Sequence, residues 1–312
     1  MQLLILSIFS SLCCICYQKA NYITIHKNIL IILGIVLPLN NSVYAASADN
    51  TFRVFDGTQY INRPDMRKYG IENITILYGF NFWKKNENQD FIPNTKRLIK
   101  LARKYDGKSK MIVLDIEHWT VQGHPLRPWI INNSIDKYIK TFNIFKAHAK
   151  ISKIGYFGGI FPISNYKASI ANKESTEYRT WEKDNSKMAG LAKIVDVAFP
   201  SVYTYSDDIK LWEKSFLAKV EQLRTKYTGE IFVFLWPQYF DHEPTPEHLQ
   251  LKFIPADFWY HQLEFAQKHV DGVVIWGGWN FKKWKPRVWD KTAEWWLETK
   301  NFIKNYELNT SK

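Results

Sequence analysis

From about residue 47 onward, short apolar runs alternate with longer stretches in which apolar residues recur every three or four positions, the pattern of strands separated by amphipathic helices. The apolar runs predict strands at Thr51 to Phe55, Ile74 to Phe80, Met111 to Ile116, Lys153 to Phe157, Val195 to Val202, Ile231 to Trp236 and Gly272 to Trp276. Helical spacing falls between most of them, at Asn94 to Tyr105, Ile135 to Lys150, Glu177 to Ala192, Ile209 to Tyr227, Asp257 to His269 and Lys291 to Tyr306. The connection from Asp56 to Asn73 is short and ambiguous. Strands joined through helices run parallel, so the chain is expected to be an α/β protein, a distorted, seven-stranded (β/α) TIM-like barrel, forming a single domain over residues 47–312. A doubly wound open sheet is the alternative. It gains no support from a G-x-G-x-x-G or G-x-x-x-x-G-K-[ST] motif, because the sequence contains neither.

The first 46 residues follow a different pattern. His26-Lys27 precedes an apolar stretch from Ile29 to Leu39, and Ser42-Val-Tyr-Ala-Ala46 resembles a small-residue cleavage site, so this segment reads as a secretion signal with the mature chain beginning near Ala46 or Ser47. A second apolar run, Leu3 to Tyr17, lies upstream; neither run reaches the length of about 20 residues of a membrane span. The expectation is an exported protein, secreted or periplasmic, with no stable membrane span in the mature chain. All three cysteines, Cys13, Cys14 and Cys16, fall in this leader. The body therefore has no disulfide, no thiol nucleophile and no cysteine metal site.

Charge and aromatic content narrow the class of partner. The chain has 42 basic and 30 acidic residues, and the leader holds only Lys19 and Lys27, so the positive balance belongs to the body. A basic surface suits an acidic polysaccharide or nucleic acid, and equally a lysine-rich solvated surface; the nucleic-acid reading rests on charge alone. Thirteen Trp, 17 Tyr and 20 Phe are many for core packing, and aromatic faces in clefts are a common way to hold sugar rings.

The chemistry is expected at Met111-Ile-Val-Leu-Asp-Ile-Glu-His-Trp119. In a strand the side-chain period of two points Asp115 and Glu117 to one face, roughly 6.5–7 Å apart at Cα. Two carboxylates in one small volume repel and raise one pKa, which keeps a general acid protonated near neutral pH. The competing reading is a strand end whose acids pair with Lys or Arg. The other strand ends offer Asp56, Tyr156, Tyr203, Tyr205, Trp236, Gln238, Trp276, Trp279 and Asn280. Carboxylates, amides and aromatics of this kind suit carbohydrate chemistry. With no serine elbow and no paired histidines in ligand spacing, no metal or other cofactor is expected. His118 is expected on the opposite face from the acids, as a structural residue. His242 and His248, in Asp241-His-Glu-Pro-Thr-Pro-Glu-His248, read as a solvated loop, with a metal site as the alternative.

Four segments in order resemble the hyaluronidase family of glycoside hydrolases. Val113-Leu-Asp-Ile-Glu-His-Trp119 resembles its D-x-E-x-W strand, and Ile154-Gly-Tyr-Phe-Gly158 its G-Y-Y-G strand. Phe199-Pro-Ser-Val-Tyr203 is similar to its P-S-V/I-Y strand, and Val273-Val-Ile-Trp-Gly-Gly-Trp279 to its V-V-L-W-G-S-W strand. The resemblance implies a distorted seven-stranded barrel and retaining hydrolysis of an N-acetylhexosamine-containing polysaccharide or glycosaminoglycan, with the substrate's own acetamido oxygen as nucleophile. It implies Glu117 as acid and then base, and Asp115 as the residue that orients the acetamido group. Tyr156 and Tyr203 would surround the sugar and Trp276 would pack on its N-acetyl, with Trp119, Trp236 and Trp279 as further aromatic contacts. This chain departs from the family in having no body cysteines, in Ile116 between the two acids, in Phe157 as the second aromatic, and in being shorter. Peptidoglycan or chitin-like material is therefore as good a substrate as hyaluronan. A secreted carbohydrate-binding barrel without catalysis is the alternative function.

Overall fold

The computed structural model describes residues 51–88, 90–121, 128–158, 161–281 and 283–310; the leader, its expected cleavage site and the three cysteines lie outside them. Seven parallel strands follow one another around a ring. They are β1 (Arg53–Thr58), β2 (Glu72–Asn73, resuming as Thr75–Tyr78), β3 (Met111–Asp115), β4 (Lys153–Gly158), β5 (Phe199–Pro200), β6 (Phe232–Leu235) and β7 (Gly272–Gly277). β1 pairs on one side with β7 and on the other with the start of β2. The second half of β2 pairs with β3, β3 with β4, and β4 with β5. Single bridges Ala198↔Ile231 and Ser201↔Phe234 join β5 to β6, and β6 pairs with β7. The fold is the expected α/β TIM-like barrel.

Two sets of apolar side chains follow from the period of two along each strand. Met111 and Val113 of β3 join Phe55, Val197, Phe199, Phe232, Phe234 and Val274 in a cluster inside the ring. Ile112, Leu114 and Ile116 belong to the other cluster, shared with the helices. Those helices are Thr95–Tyr105, Pro128–His148, Thr176–Lys187, Ile209–Arg224, Ala256–His269 and Glu294–Thr310. Side chains close their exposed first turns: Asn94 accepts from Arg97 N, Ser175 from Tyr178 N, and Asp208 from Lys210 N and Leu211 N.

Three features differ from the expected pattern. β5 is two residues long rather than eight, because Pro200 has no N–H to give to a ladder and pairing continues only as single bridges on either side. The helix expected over Glu177 to Ala192 breaks at Met188 and resumes as Ala189–Ala192. Between β1 and β2 there is only the short 3-10 turn Met66–Tyr69, and the outer face of β1 is covered from the other end of the chain. There Phe52 meets Phe302 at 5.7 Å, its N–H donates to Tyr306 Oη at 2.6 Å, and Tyr69 packs edge-on against Trp296 at 5.0 Å.

Candidate active site

The C-terminal ends of the strands surround a cleft of about 1230 Å³. Barrel enzymes collect their chemistry at this end, because the loops that follow the strands can vary without disturbing the ring. Asp115 is the last residue of β3 and lines the cleft, half-buried, opposite Tyr78 in the β2–β3 register. Glu117 lines it two residues on, exposed on its open side. Among the described residues neither carboxylate has an ion-paired or hydrogen-bonded partner, so the competing reading of a lysine- or arginine-paired strand end has no support in the structure. Asp56 shows what that reading looks like: it is buried, accepts from Thr58 N at 2.9 Å and Thr58 Oγ1 at 2.7 Å, and pairs with Arg63 Nε at 3.1 Å.

The electrostatics follow from the placement. Burial, with the Glu117 charge added, pushes the Asp115 carboxyl up to about 8. Desolvation by the cleft walls also raises Glu117, against a smaller lowering from His242. Both shifts have the same sign, so near neutral pH the pair retains a proton, as a general acid requires.

The walls are aromatic. Tyr203 and Trp276 stack at 6.0 Å and 30°, and Trp236 stands edge-on to both, at 5.6 and 5.1 Å. Trp276 Nε1 donates to Tyr78 Oη at 3.3 Å, and Gln59 Nε2 donates to the same oxygen, which fixes the indole beside Asp115. Burial raises the Tyr203 hydroxyl well above its ordinary range, and the charges of Asp115 and Glu117 add to the effect, so this phenol stays a proton donor facing the two acids. Trp279 reaches the same cleft because Gly278, at φ 84°, turns the chain between the two tryptophans; a Cβ there would sit 2.7 Å from Tyr60 N.

Of the expected site residues, Asp115, Glu117, Tyr203, Trp236, Trp276 and Trp279 come together in this cleft. Tyr156 and Trp119 do not. Tyr156 alternates with Phe157 along β4, so it points to the helices, where it is buried and donates to the Tyr138 carbonyl at 2.7 Å; Phe157 is the side chain that faces the cleft. Trp119 lies past the end of β3, where the period of two no longer applies. It is buried against Tyr138 at 5.1 Å and donates to the Phe91 carbonyl at 2.9 Å. For the same reason His118 is not on a far face but lines the cleft, its ring tilted against Trp83 at 3.8 Å, with its pKa lowered by desolvation.

Tyr78 and Gln59 are cleft residues that the sequence reading missed. Tyr78 was detectable: Ile74 and Ile76 pack against the inner cluster, and the same parity carries Tyr78 inward. His242 also lines the cleft, with Nδ1 2.7 Å from Asp241 Oδ1 and its ring against Phe240 at 4.3 Å, whereas His248 lines a separate hollow. The two are not gathered as metal ligands.

Fold and site together give a parallel (β/α) barrel with, at its C-terminal rim, a carboxylate couple that has no ion-pair partner among the described residues and a floor of aromatic rings. Among solved structures, bee venom hyaluronidase is similar, with a TM-score of 0.52 and 16% identity over 82% of this chain and 98% of that one. The same venom enzyme in complex with a hyaluronic acid tetramer gives a TM-score of 0.50 and 16% identity over 83% and 96% of the two chains. At such identity the likeness is one of fold. No protein-family model matches the sequence, and no curated protein matches it.

Proposed function

We propose that this protein is an exported glycoside hydrolase that cleaves an N-acetylhexosamine-containing polysaccharide with retention, using the substrate's acetamido group as nucleophile. One observation carries the reading: two carboxyls with raised pKa values and no partner among the described residues line one aromatic cleft. In this mechanism Glu117, on the open side of the cleft, protonates the glycosidic oxygen as the bond to C1 breaks. The acetamido oxygen attacks C1, and Asp115 accepts the acetamido N–H through its carbonyl oxygen, which orients the nucleophile. Glu117, now a carboxylate, takes a proton from water as the water attacks C1, and the acetamido group is released. With Asp115 and Glu117 on one wall, a nucleophile supplied by the substrate lets the reaction run without the other carboxylates that line the cleft, Asp241, which pairs with His242, and Glu243. Trp276 and Tyr203 form the floor under the reacting sugar, and the apolar leader supports export.

Glu117→Gln tests the assignment, because the amide keeps the shape but has no proton to give. Turnover of N-acetylated polysaccharides, read as new reducing ends, is expected to fall by about 10²–10⁴-fold while oligosaccharide binding persists. Undiminished turnover would overturn the assignment. Binding without turnover in the parent protein would favour the non-catalytic carbohydrate-binding alternative.

A further inference from the structure

The hairpin formed by Trp279–Asn280 and Lys285–Pro286 contributes to two hollows. Trp279, Phe281 and Trp284 line the catalytic cleft. Lys283 and Arg287 line a second hollow of about 540 Å³, together with Lys252, Leu251, His248 and Glu247. Three observations single this place out.

The first is backbone strain. Three non-glycine residues among those described have positive φ: Asn62 at 60°, Leu251 at 62° and Trp284 at 50°. Asparagine tolerates this region, but leucine and tryptophan do so at a cost, and those two residues border the hollow and the hairpin. Strain of this kind concentrates where a ligand is held. The second is exposure. Trp284 is 74% exposed, with its ring edge-on to Trp279 at 6.3 Å, so a large indole face lies open to solvent at the rim of the cleft. The third is unpaired charge. Among the described residues none of Lys252, Lys283 and Arg287 has an ion-pair partner, although Glu247 lines the same hollow. Arg287 Nε is buried without a hydrogen-bond partner, and its guanidinium lies 5.8 Å over the Phe253 ring. A buried donor left unmade is expensive, and a guanidinium fork suits a planar oxyanion.

We infer that the hairpin forms a distal sugar-binding subsite outside the reacting centre, in which Trp284 stacks a pyranose face while Arg287, Lys283 and Lys252 hold an oxyanion substituent of the same chain, a carboxylate or a sulfate. The inference rests on the polysaccharide reading given above. It makes affinity depend on chain length, since Trp284 stands at the exposed rim of the cleft and a short oligosaccharide held at the two acids does not extend to it, and on charge beyond that point.

The test measures binding by calorimetry to the full chain carrying Glu117→Gln, using tetramers and octamers of hyaluronan, which are acidic, and of chitin, which are neutral. Trp284→Ala is expected to weaken both octamers by about 5–10-fold and leave the tetramers unchanged. Lys252→Ala with Lys283→Ala is expected to weaken the acidic octamer by about 5–10-fold, to flatten its salt dependence and to spare the neutral one. Both are surface changes, and a far-UV melting curve checks that each variant is folded. Octamer affinities unmoved by either change, or equal losses for tetramer and octamer, would overturn the subsite. Length-dependent binding that Trp284→Ala abolishes, in a protein with no turnover on any polymer, would uphold the subsite and remove the hydrolase reading. Turnover in the parent protein with octamer binding indifferent to both changes would do the reverse.

Discussion

Replacing Asp115 by Asn should make the protein more stable and less active, and the gain in stability should depend on pH with a definite sign. In the folded protein burial pushes the Asp115 carboxyl from 3.8 up to about 8. Below pH 4 folded and unfolded chains both hold the proton, and the group contributes no difference. Between pH 4 and 8 the unfolded chain has released a proton that the folded chain keeps, so wild-type stability falls as pH rises, by at most about 1.4 kcal/mol per pH unit. By pH 7 this sets an upper bound of about 4 kcal/mol, and water reaching the half-buried group reduces it to about 1–2 kcal/mol. Asparagine has the same shape and no proton to lose, so the variant escapes this dependence. Urea unfolding of parent and variant, followed by far-UV circular dichroism at pH 4, 6 and 8, should give curves that coincide at pH 4 and separate progressively, with the variant the more stable. Turnover of N-acetylated polysaccharides should fall in the same variant. A difference that is flat with pH, or that grows toward acid, would mean Asp115 is an ordinary or stabilised carboxylate, and the paired-acid reasoning would fail.

Lys219 offers a second linkage test, because it is buried, donates to the Ser201 carbonyl at 3.0 Å and has its pKa pushed down to about 8. Its folded value lies below its unfolded one, so stability rises between pH 8 and 10.5; Lys219→Met should stabilise by about 1–2 kcal/mol at pH 7 and lose that gain by pH 10.5 in the same unfolding assay. Gly278→Ala should destabilise by about 1–3 kcal/mol or more, since it meets both the left-handed backbone and Tyr60 N, and a thermal melt that does not move would contradict the close approach.

The strands were legible because each is an apolar run bounded by polar residues, and six of the seven fall within a few residues of their expected places. Helices were legible by the same argument with a longer period. β5 was misjudged because an apolar run is equally consistent with a ladder or with a buried extended segment; Pro200 was the local sign of interruption. The two rim hairpins, Trp83–Lys85 with Phe91–Pro93 and Trp279–Asn280 with Lys285–Pro286, left no period to detect, being two or three residues to a strand.

At the site, Asp115 and Glu117 were readable from spacing, because an acid ending an apolar strand is unusual whatever surrounds it. The neighbours were less so. Tyr156 and Phe157 are adjacent aromatics, and only the register of β4 decides that the phenylalanine faces the cleft while the tyrosine bonds to the helix layer. Trp119 failed because an alternation that holds within a strand ends where the hydrogen-bond ladder ends, at Asp115.

By itself the chain's pattern of apolar and polar residues determined a ring of parallel strands wrapped in helices, since that pattern must bury one surface inside the strands and another beneath the helices. Closure of the ring decided what no local window contains. It brought Gln59, just past the end of β1, Tyr78 of β2 and Trp276 of β7, from opposite ends of the sequence, onto one hydrogen-bonded corner beside Asp115. It also set the carboxylate pair in the cleft with no ion-paired cation among the described residues, and that desolvation, with the Glu117 charge adding to it at Asp115, is what raises their pKa values.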